Sequence, residues 1–360
     1  MMRSSKMYFG KLLSAVLATA FVFMLAVVPC AGAVTNYANW MEENKTVLGN
    51  LPVNMAVLLG SHDAMSYTVA TNNSACIGYE TSSGTTIDSF CSTTDLKKAQ
   101  CQKDPITAQL TAGVRYFDLR IAYQNGMYYA EHMWLGAQLF PAPASTPLIE
   151  IKNFLAANPS EVVILNVNAL LSDAPGDAPG NTPGAMTPAQ QQTLFSNIEQ
   201  LFGSSLIPQA AAFPTFNSIW AGVGRIILIN SWAPLGSPDP NVWDNTSKTQ
   251  PLVNSEWQKV TTDSPQLLVG DLTVVLNKWY NNWSQYAGQM RVLQAMTTTD
   301  KKIDAAENTN SYLCNYCLPS SWWPKYKLNI IQVDDSTNSG IQRFVVQFNQ
   351  SMSKIKIKHK

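Results

Sequence analysis

Six short runs of this chain carry apolar residues on successive positions rather than alternate ones. They are "MAVLLG" (55–60), "VRYFDLRIA" (114–122), "EVVILNVN" (161–168), "RIILIN" (225–230), "MRVLQAM" (290–296) and "NIIQVD" (329–334). A strand with one face in water alternates. Runs rich in Val, Ile and Leu that do not alternate read as strands buried on both faces, the pattern of a parallel sheet covered by helices. Two stretches between them read as helices. "TPLIEIKNFLAANP" (146–159) has a Thr cap, a first-turn Pro and a Pro stop, and "TPAQQQTLFSNIEQLFG" (187–203) opens the same way and ends at Gly. Strands alternating with helices predict an α/β fold, a single distorted (β/α) TIM-type barrel over residues 34–350. The polar, Pro/Gly-rich segment 171–185 reads as a surface loop within that barrel, because strand-like runs continue on both sides.

Composition narrows the function classes. With 46% hydrophobic and 13% charged residues the chain can bury a substantial core, and a formal net charge of zero gives no basis for nucleic-acid binding. Residues 1–33 have a basic start, a long apolar stretch and small residues ending at Ala31-Gly32-Ala33, so they read as a secretory signal peptide, with an uncleaved anchor as the alternative. The mature protein is expected to be secreted and monomeric. Cleavage removes Cys30 and leaves five cysteines, and export makes disulfides plausible. Cys76 with Cys91, or Cys91 with Cys101, would close a loop. "CNYC" at 314–317 reads as a disulfide or two thiols, because no second Cys or His pair accompanies it for a metal. Asn44, Asn72, Asn245, Asn282 and Asn349 each begin an N-x-S/T triplet. The basic tail, residues 351–360, ends in "SKIKIKHK", which is not the hydrophobic tail of a lipid-anchor signal. It reads as a solvated end, with charge-driven contact to anionic lipid as the alternative.

In a parallel barrel, chemistry collects where strands end. His62 and Asp63 follow the first run, Asp118 and Arg120 stand on alternate positions of the second, His132 follows "YYAE", and Asp334 and Asp335 end the last. Taken singly, each has a structural reading: a hydrogen-bonded histidine, an ion pair, a helix cap. Taken together they are harder to dismiss, since the only other histidine of the chain, His359, lies in the tail. Two imidazoles flanking an arginine suit phosphodiester cleavage, which needs a base for the attacking oxygen, an acid for the leaving oxygen and a cation for the phosphorus oxygens.

The motifs "LLGSHDAMSY", "ITAQLTAGVRYFDLRIAY", "YYAEHMWLG" and "NPSEVVILNVN" resemble, in order and spacing, the catalytic X region of phosphatidylinositol-specific phospholipases C. The likeness is to the metal-independent bacterial enzymes and to secreted X-domain proteins, and extends over roughly residues 50–340. It implies attack by the substrate's own 2-hydroxyl on phosphorus, giving a cyclic phosphodiester and diacylglycerol at a membrane surface. It also implies roles: His62 as general base held by Asp334, His132 as general acid assisted by Asp63, Arg120 as phosphate clamp, and Asp118 as supporting carboxylate. Calcium-dependent relatives carry an acidic residue where Arg120 stands, so no metal and no cofactor is expected.

The likeness weakens at the headgroup. Asn168 and Asn230 stand where the family has an inositol-binding lysine and an arginine, and Ala295 and Thr297 stand near its aspartate and tyrosine. Asn168 and Asn230 are therefore the candidate substrate-binding residues, and the headgroup is expected to differ from plain phosphatidylinositol, a glycosylated form being one candidate. Two other readings remain: a metal-dependent glycerophosphodiesterase-like enzyme of the same barrel superfamily, and a non-catalytic secreted barrel that binds lipid or glycans.

Overall fold

A computed structural model describes residues 36–352 apart from 71–74, 77–98, 125, 133–134, 137, 142–145, 173–183, 257–262, 298–301, 320–321 and 323–324. The leader-like residues 1–33, the terminal residues 353–360, Cys30, Cys91, the triplet at Asn72 and most of the 171–185 loop lie outside the described residues, as does the side chain of Cys76.

Eight parallel strands follow one another along the chain: β1 (Leu58–Ser61), β2 (Val114–Gln124), β3 (Val163–Ser172), β4 (Ile226–Asn230), β5 (Val242–Asp244), β6 (Val253–Glu256), β7 (Met290–Gln294) and β8 (Ile330–Val333). Their order in the sheet is β5-β4-β3-β2-β1-β8-β7-β6, so the curled sheet closes through β1 and β8. Among the described residues no ladder joins β5 to β6. There a side chain bridges the gap, Asn245 Oδ1 accepting from Val253 N at 2.8 Å. The result is the expected α/β barrel, distorted by an opening on one side. Gly60 lets β1 fit between its neighbours, since a Cβ there would lie 2.9 Å from Ile330 Cγ2 and 3.1 Å from Tyr116 Cδ1.

The six apolar runs all become strands, buried at nearly every position. The sequence reading missed β5 and β6. Both are short, flank the opening and contain exposed or half-buried polar residues, so they lack the apolar run that marks a covered strand. The two expected helices form as Pro147–Ala157 and Pro188–Phe202, capped by Thr146 and by a Thr187/Gln190 capping box. Further helices include Pro265–Asn281, Lys302–Tyr312 and Gln342–Met352. Among the described residues no helix is long and apolar enough to cross a membrane.

At the N-terminal end of the barrel the buried Arg115 and Glu161 pair at 2.6 Å, and the pair is fully hydrogen-bonded. Arg115 donates to the carbonyls of Leu110, Val114, Tyr37 and Ala38, and Glu161 accepts from the amides of Met41 and Glu42. That pair supports the frame, far along β2 from the polar positions that matter for chemistry.

Two cysteine expectations change. Cys101 is an unbridged, fully buried thiol, so the Cys91–Cys101 pairing does not form. Cys314 and Cys317 share one π-helical turn, Leu313–Cys317, and no S–S bond joins them. The N-x-S/T triplets also divide. Asn44 and Asn349 are buried and hydrogen-bonded within the fold, and Asn245 holds the barrel seam, whereas Asn282 is exposed.

Candidate active site

All six candidate catalytic residues meet at the C-terminal mouth of the barrel. β1 delivers His62 directly after Ser61, its amide donating to Val333 O at 3.1 Å. Asp63 then turns the chain with φ 42°. This left-handed conformation is one that a short polar side chain tolerates better than most, and it swings the carboxylate back over the mouth. On β2, alternation puts Asp118 and Arg120 on one face. The register against β3 shifts just beyond, where Leu119 pairs with Val167 but Arg120 with Ala169. Asn168 is the extra residue of that irregularity, and its Nδ2 donates to Asp118 Oδ1 at 2.9 Å. His132 follows the antiparallel strand Met127–Ala130 that folds back on β2. Asp334 follows β8.

The contacts assign each imidazole a state. His62 Nδ1 lies 2.7 Å from Asp334 Oδ1, so Nδ1 carries the hydrogen. Its Nε2 is then the acceptor, facing Arg120 Nη2 at 3.0 Å. A ring so held presents its Nε2 to the arginine. His132 is arranged differently. Its Nδ1 lies 2.5 Å from Ala99 O and its Nε2 3.0 Å from Asp63 Oδ2, so both nitrogens face acceptors. Burial nevertheless pulls this imidazole down, to about 3, against the pull of Asp63, and the Lys302 and Arg120 cations add to the fall. Geometry offers the proton a place and the field drives it off, which is the character of a strong acid.

Asp63 links the two rings. Its Oδ2 is 3.5 Å from His62 Nε2 and 3.0 Å from His132 Nε2, while Oδ1 pairs with Arg120 Nε. Burial would raise its carboxyl, but Arg120 and the two histidines outweigh that and hold it well below the usual carboxylate range. Arg120, which burial alone would lower, is held above its ordinary value by Asp63 and Asp118. Asp118 is saturated, its Oδ2 accepting from Gln332 Nε2 at 3.1 Å and Asp63 N at 3.2 Å. The ring centroids of His62 and His132 are 6.4 Å apart. The Arg120 side chain is 26% exposed, against 8% or less for Asp63, Asp118, both histidines and Asp334. An anion entering from solvent therefore meets the guanidinium first.

His62, Asp63 and Cys101 bring one donor atom each within 4.8 Å of one another. The set does not suit a divalent cation. Arg120 already neutralises Asp63 and faces the His62 lone pair. Burial, then Asp334 and Asp63, push the Cys101 thiol well above its usual range, so it stays a neutral S–H.

The structure separates the two candidate headgroup residues. Asn168 joins the site through Asp118. Asn230 is buried, and its side chain is engaged by its own turn, accepting from Trp232 N at 3.1 Å and donating to Ala233 O at 2.7 Å. Ala295 and Thr297 are buried too. Residues that sequence reasoning missed complete the mouth. Gln102 donates to both His62 O and Val333 O, at 2.9 and 3.0 Å, locking the ends of β1 and β8 together. Asn310 Nδ2 donates to Asp334 O at 3.0 Å. Cys101 Sγ lies 3.5 Å from Asp63 Oδ2, and Lys302 Nζ 3.5 Å from His132 Nε2. None follows an apolar run, so no sequence pattern marks them.

Comparison with known proteins gives the same architecture. No protein-family model matches the chain. The phosphatidylinositol-specific phospholipase C from Listeria monocytogenes superposes with a TM-score of 0.59, at 16% identity over 87% of this chain and 99% of that one. A point mutant of the Staphylococcus aureus enzyme gives 0.56, at 15% identity over 87% and 97%. Mouse PI-PLC X domain-containing protein 2 is 26% identical over 233 residues, 60% of this chain. Mouse PI-PLC X domain-containing protein 1 is 28% identical over 235 residues, 62% of this chain. This chain is similar to the PI-PLC X-domain proteins. The matched stretch spans 62% and 64% of those two mouse proteins' length.

Proposed function

We propose that this protein is a phosphodiesterase of the phospholipase C type that cleaves a phospholipid headgroup without a metal. The observation that carries the reading is the placement of two differently prepared imidazoles beside one guanidinium. Arg120 receives the diester's phosphoryl oxygens, its planar fork matching their geometry. His62, its hydrogen fixed on Nδ1 by Asp334, takes the proton of the attacking hydroxyl at Nε2. Asp334 then stabilises the imidazolium that forms. His132 gives its Nε2 proton to the departing oxygen, and Asp63 holds that nitrogen in line. The attacking P–O bond forms as the leaving one breaks, so a hydroxyl adjacent to the phosphoester yields a cyclic phosphate and diacylglycerol.

The headgroup reading follows from neutral groups. Asn168 is occupied with Asp118 and Asn230 with its own turn, which leaves few charged readers for inositol. Plain phosphatidylinositol is therefore proposed as a poor substrate and a larger, glycosylated headgroup as a better one. The leader-like first 33 residues support action outside the cell; a membrane surface is proposed because the substrate is a lipid, and a monomer is proposed with it. The test compares phosphatidylinositol, a glycosylated form and phosphatidylcholine in vesicles, with phosphorus NMR of the products. A cyclic phosphate from an inositol lipid supports the reading. Choline release without a cyclic product, or no turnover on any lipid, overturns it.

A further inference from the structure

Lys302 has no place in the reading so far. It is the first residue of the helix Lys302–Tyr312, which follows β7, and its Nζ reaches across the mouth to within 3.5 Å of His132 Nε2. Five other groups face the same ring: Ala99 O at Nδ1, Asp63 Oδ2 at Nε2, Cys101 Sγ at 3.7 Å, the His62 ring edge-on with centroids 6.4 Å apart, and the Arg120 charge from β2. Ala99 O can only accept, so Nδ1 keeps its hydrogen and Nε2 is the nitrogen that gives up a proton. Once it has done so, a bare lone pair is left 3.0 Å from a carboxylate oxygen, a repulsive pairing. Lys302 is the neighbour with N–H groups on that side.

Resting on the phosphodiesterase reading, we propose that Lys302 is a positioning residue for the general acid: it donates an N–H to His132 Nε2 as that nitrogen's proton departs. The balance is simple. The attacking hydroxyl's proton passes to His62 Nε2 as its oxygen bonds to phosphorus. The His132 proton passes to the leaving oxygen as the second P–O bond breaks. Lys302 keeps all three hydrogens. Its cation also opposes the charge on His132, so it favours the ring that has just lost its proton.

The claim separates leaving groups. A lipid alkoxide needs a proton as it departs, whereas a nitrophenolate does not. Lys302→Met should lower kcat on phosphatidylinositol by about 10²-fold and on a nitrophenyl inositol phosphodiester by less than about fivefold, with Lys302→Arg recovering part of the loss. Equal losses on both substrates would overturn the proposal. A second readout needs no turnover. The His132 ring, titrated by NMR, should rise by about one pKa unit or more in Lys302→Met. An unmoved His132 titration overturns the proposal even in an active enzyme. If the unaltered protein turns over neither these substrates nor a glycosylated inositol lipid, the phosphodiesterase reading fails, and the titration alone decides whether Lys302 acts on His132.

Discussion

Replacing Asp334 by Asn tests the base without touching the substrate. Asp334 is buried and holds His62 Nδ1 at 2.7 Å through Oδ1, while its Oδ2 is buried without a hydrogen-bond partner. An asparagine there has two choices. With its oxygen toward Nδ1, the tautomer survives but the charge that stabilises the imidazolium is lost. A hydrogen bond to a charged group contributes about 1.5–3 kcal/mol, and at about 1.4 kcal/mol per factor of ten this is roughly 10- to 150-fold in kcat. With its amide nitrogen toward Nδ1, the ring hydrogen moves to Nε2. It then opposes the Arg120 Nη2 hydrogens at 3.0 Å, and no lone pair remains for the attacking hydroxyl. Loss of the correct tautomer reaches about 10⁴-fold in a serine protease. The expectation is therefore a fall in kcat of about 10- to 10⁴-fold with KM changed less than about threefold. The assay is initial rates on inositol lipid in mixed micelles, with the melting temperature as a folding control. A folded Asp334→Asn enzyme retaining more than about a tenth of normal kcat would refute the assignment of His62 as an Asp334-oriented base.

Arg120→Lys should lose about 10²-fold or more in kcat/KM, because one ammonium cannot serve Asp63, Asp118, His62 and a phosphate together; near-normal rates would remove the clamp. Chelators should leave activity unchanged, and recovery of a chelator-treated enzyme by calcium or magnesium would show that a metal does the work assigned to Arg120. The field that pulls His132 down to about 3 predicts that kcat/KM falls as pH rises through a region well below the ordinary histidine value of about 6.5, and an optimum above pH 8 would contradict it. Asp63, depressed in the folded state, contributes stability that is complete above the unfolded carboxyl value of about 3.9 and is lost as pH falls towards its folded value. The melting-temperature gap between the native protein and Asp63→Asn should therefore be widest near pH 6 and close below pH 4; a constant gap would refute the linkage.

Burial and alternation are local properties, and what they govern was legible in the sequence. The six covered strands show themselves as unbroken apolar runs because both faces of each are buried. Asp118 and Arg120 share a face because β-strand side chains repeat every second residue. His62 and Asp334 could be placed at strand ends because the apolar runs stop there, and scarcity of histidine singled out His132. The opening between β5 and β6 was not legible, since three- and four-residue strands with polar positions carry no periodic signal. Nor was the engagement of Asn230, which depends on the path of its own turn, or the thiol of Cys101, which depends on what surrounds it. Lys302 shows the limit most clearly. It lies 170 residues from His132 in the chain, and only closure of β8 onto β1 brings the two to one mouth. An ammonium acts through distance in space, and that distance is a property of the closed barrel alone.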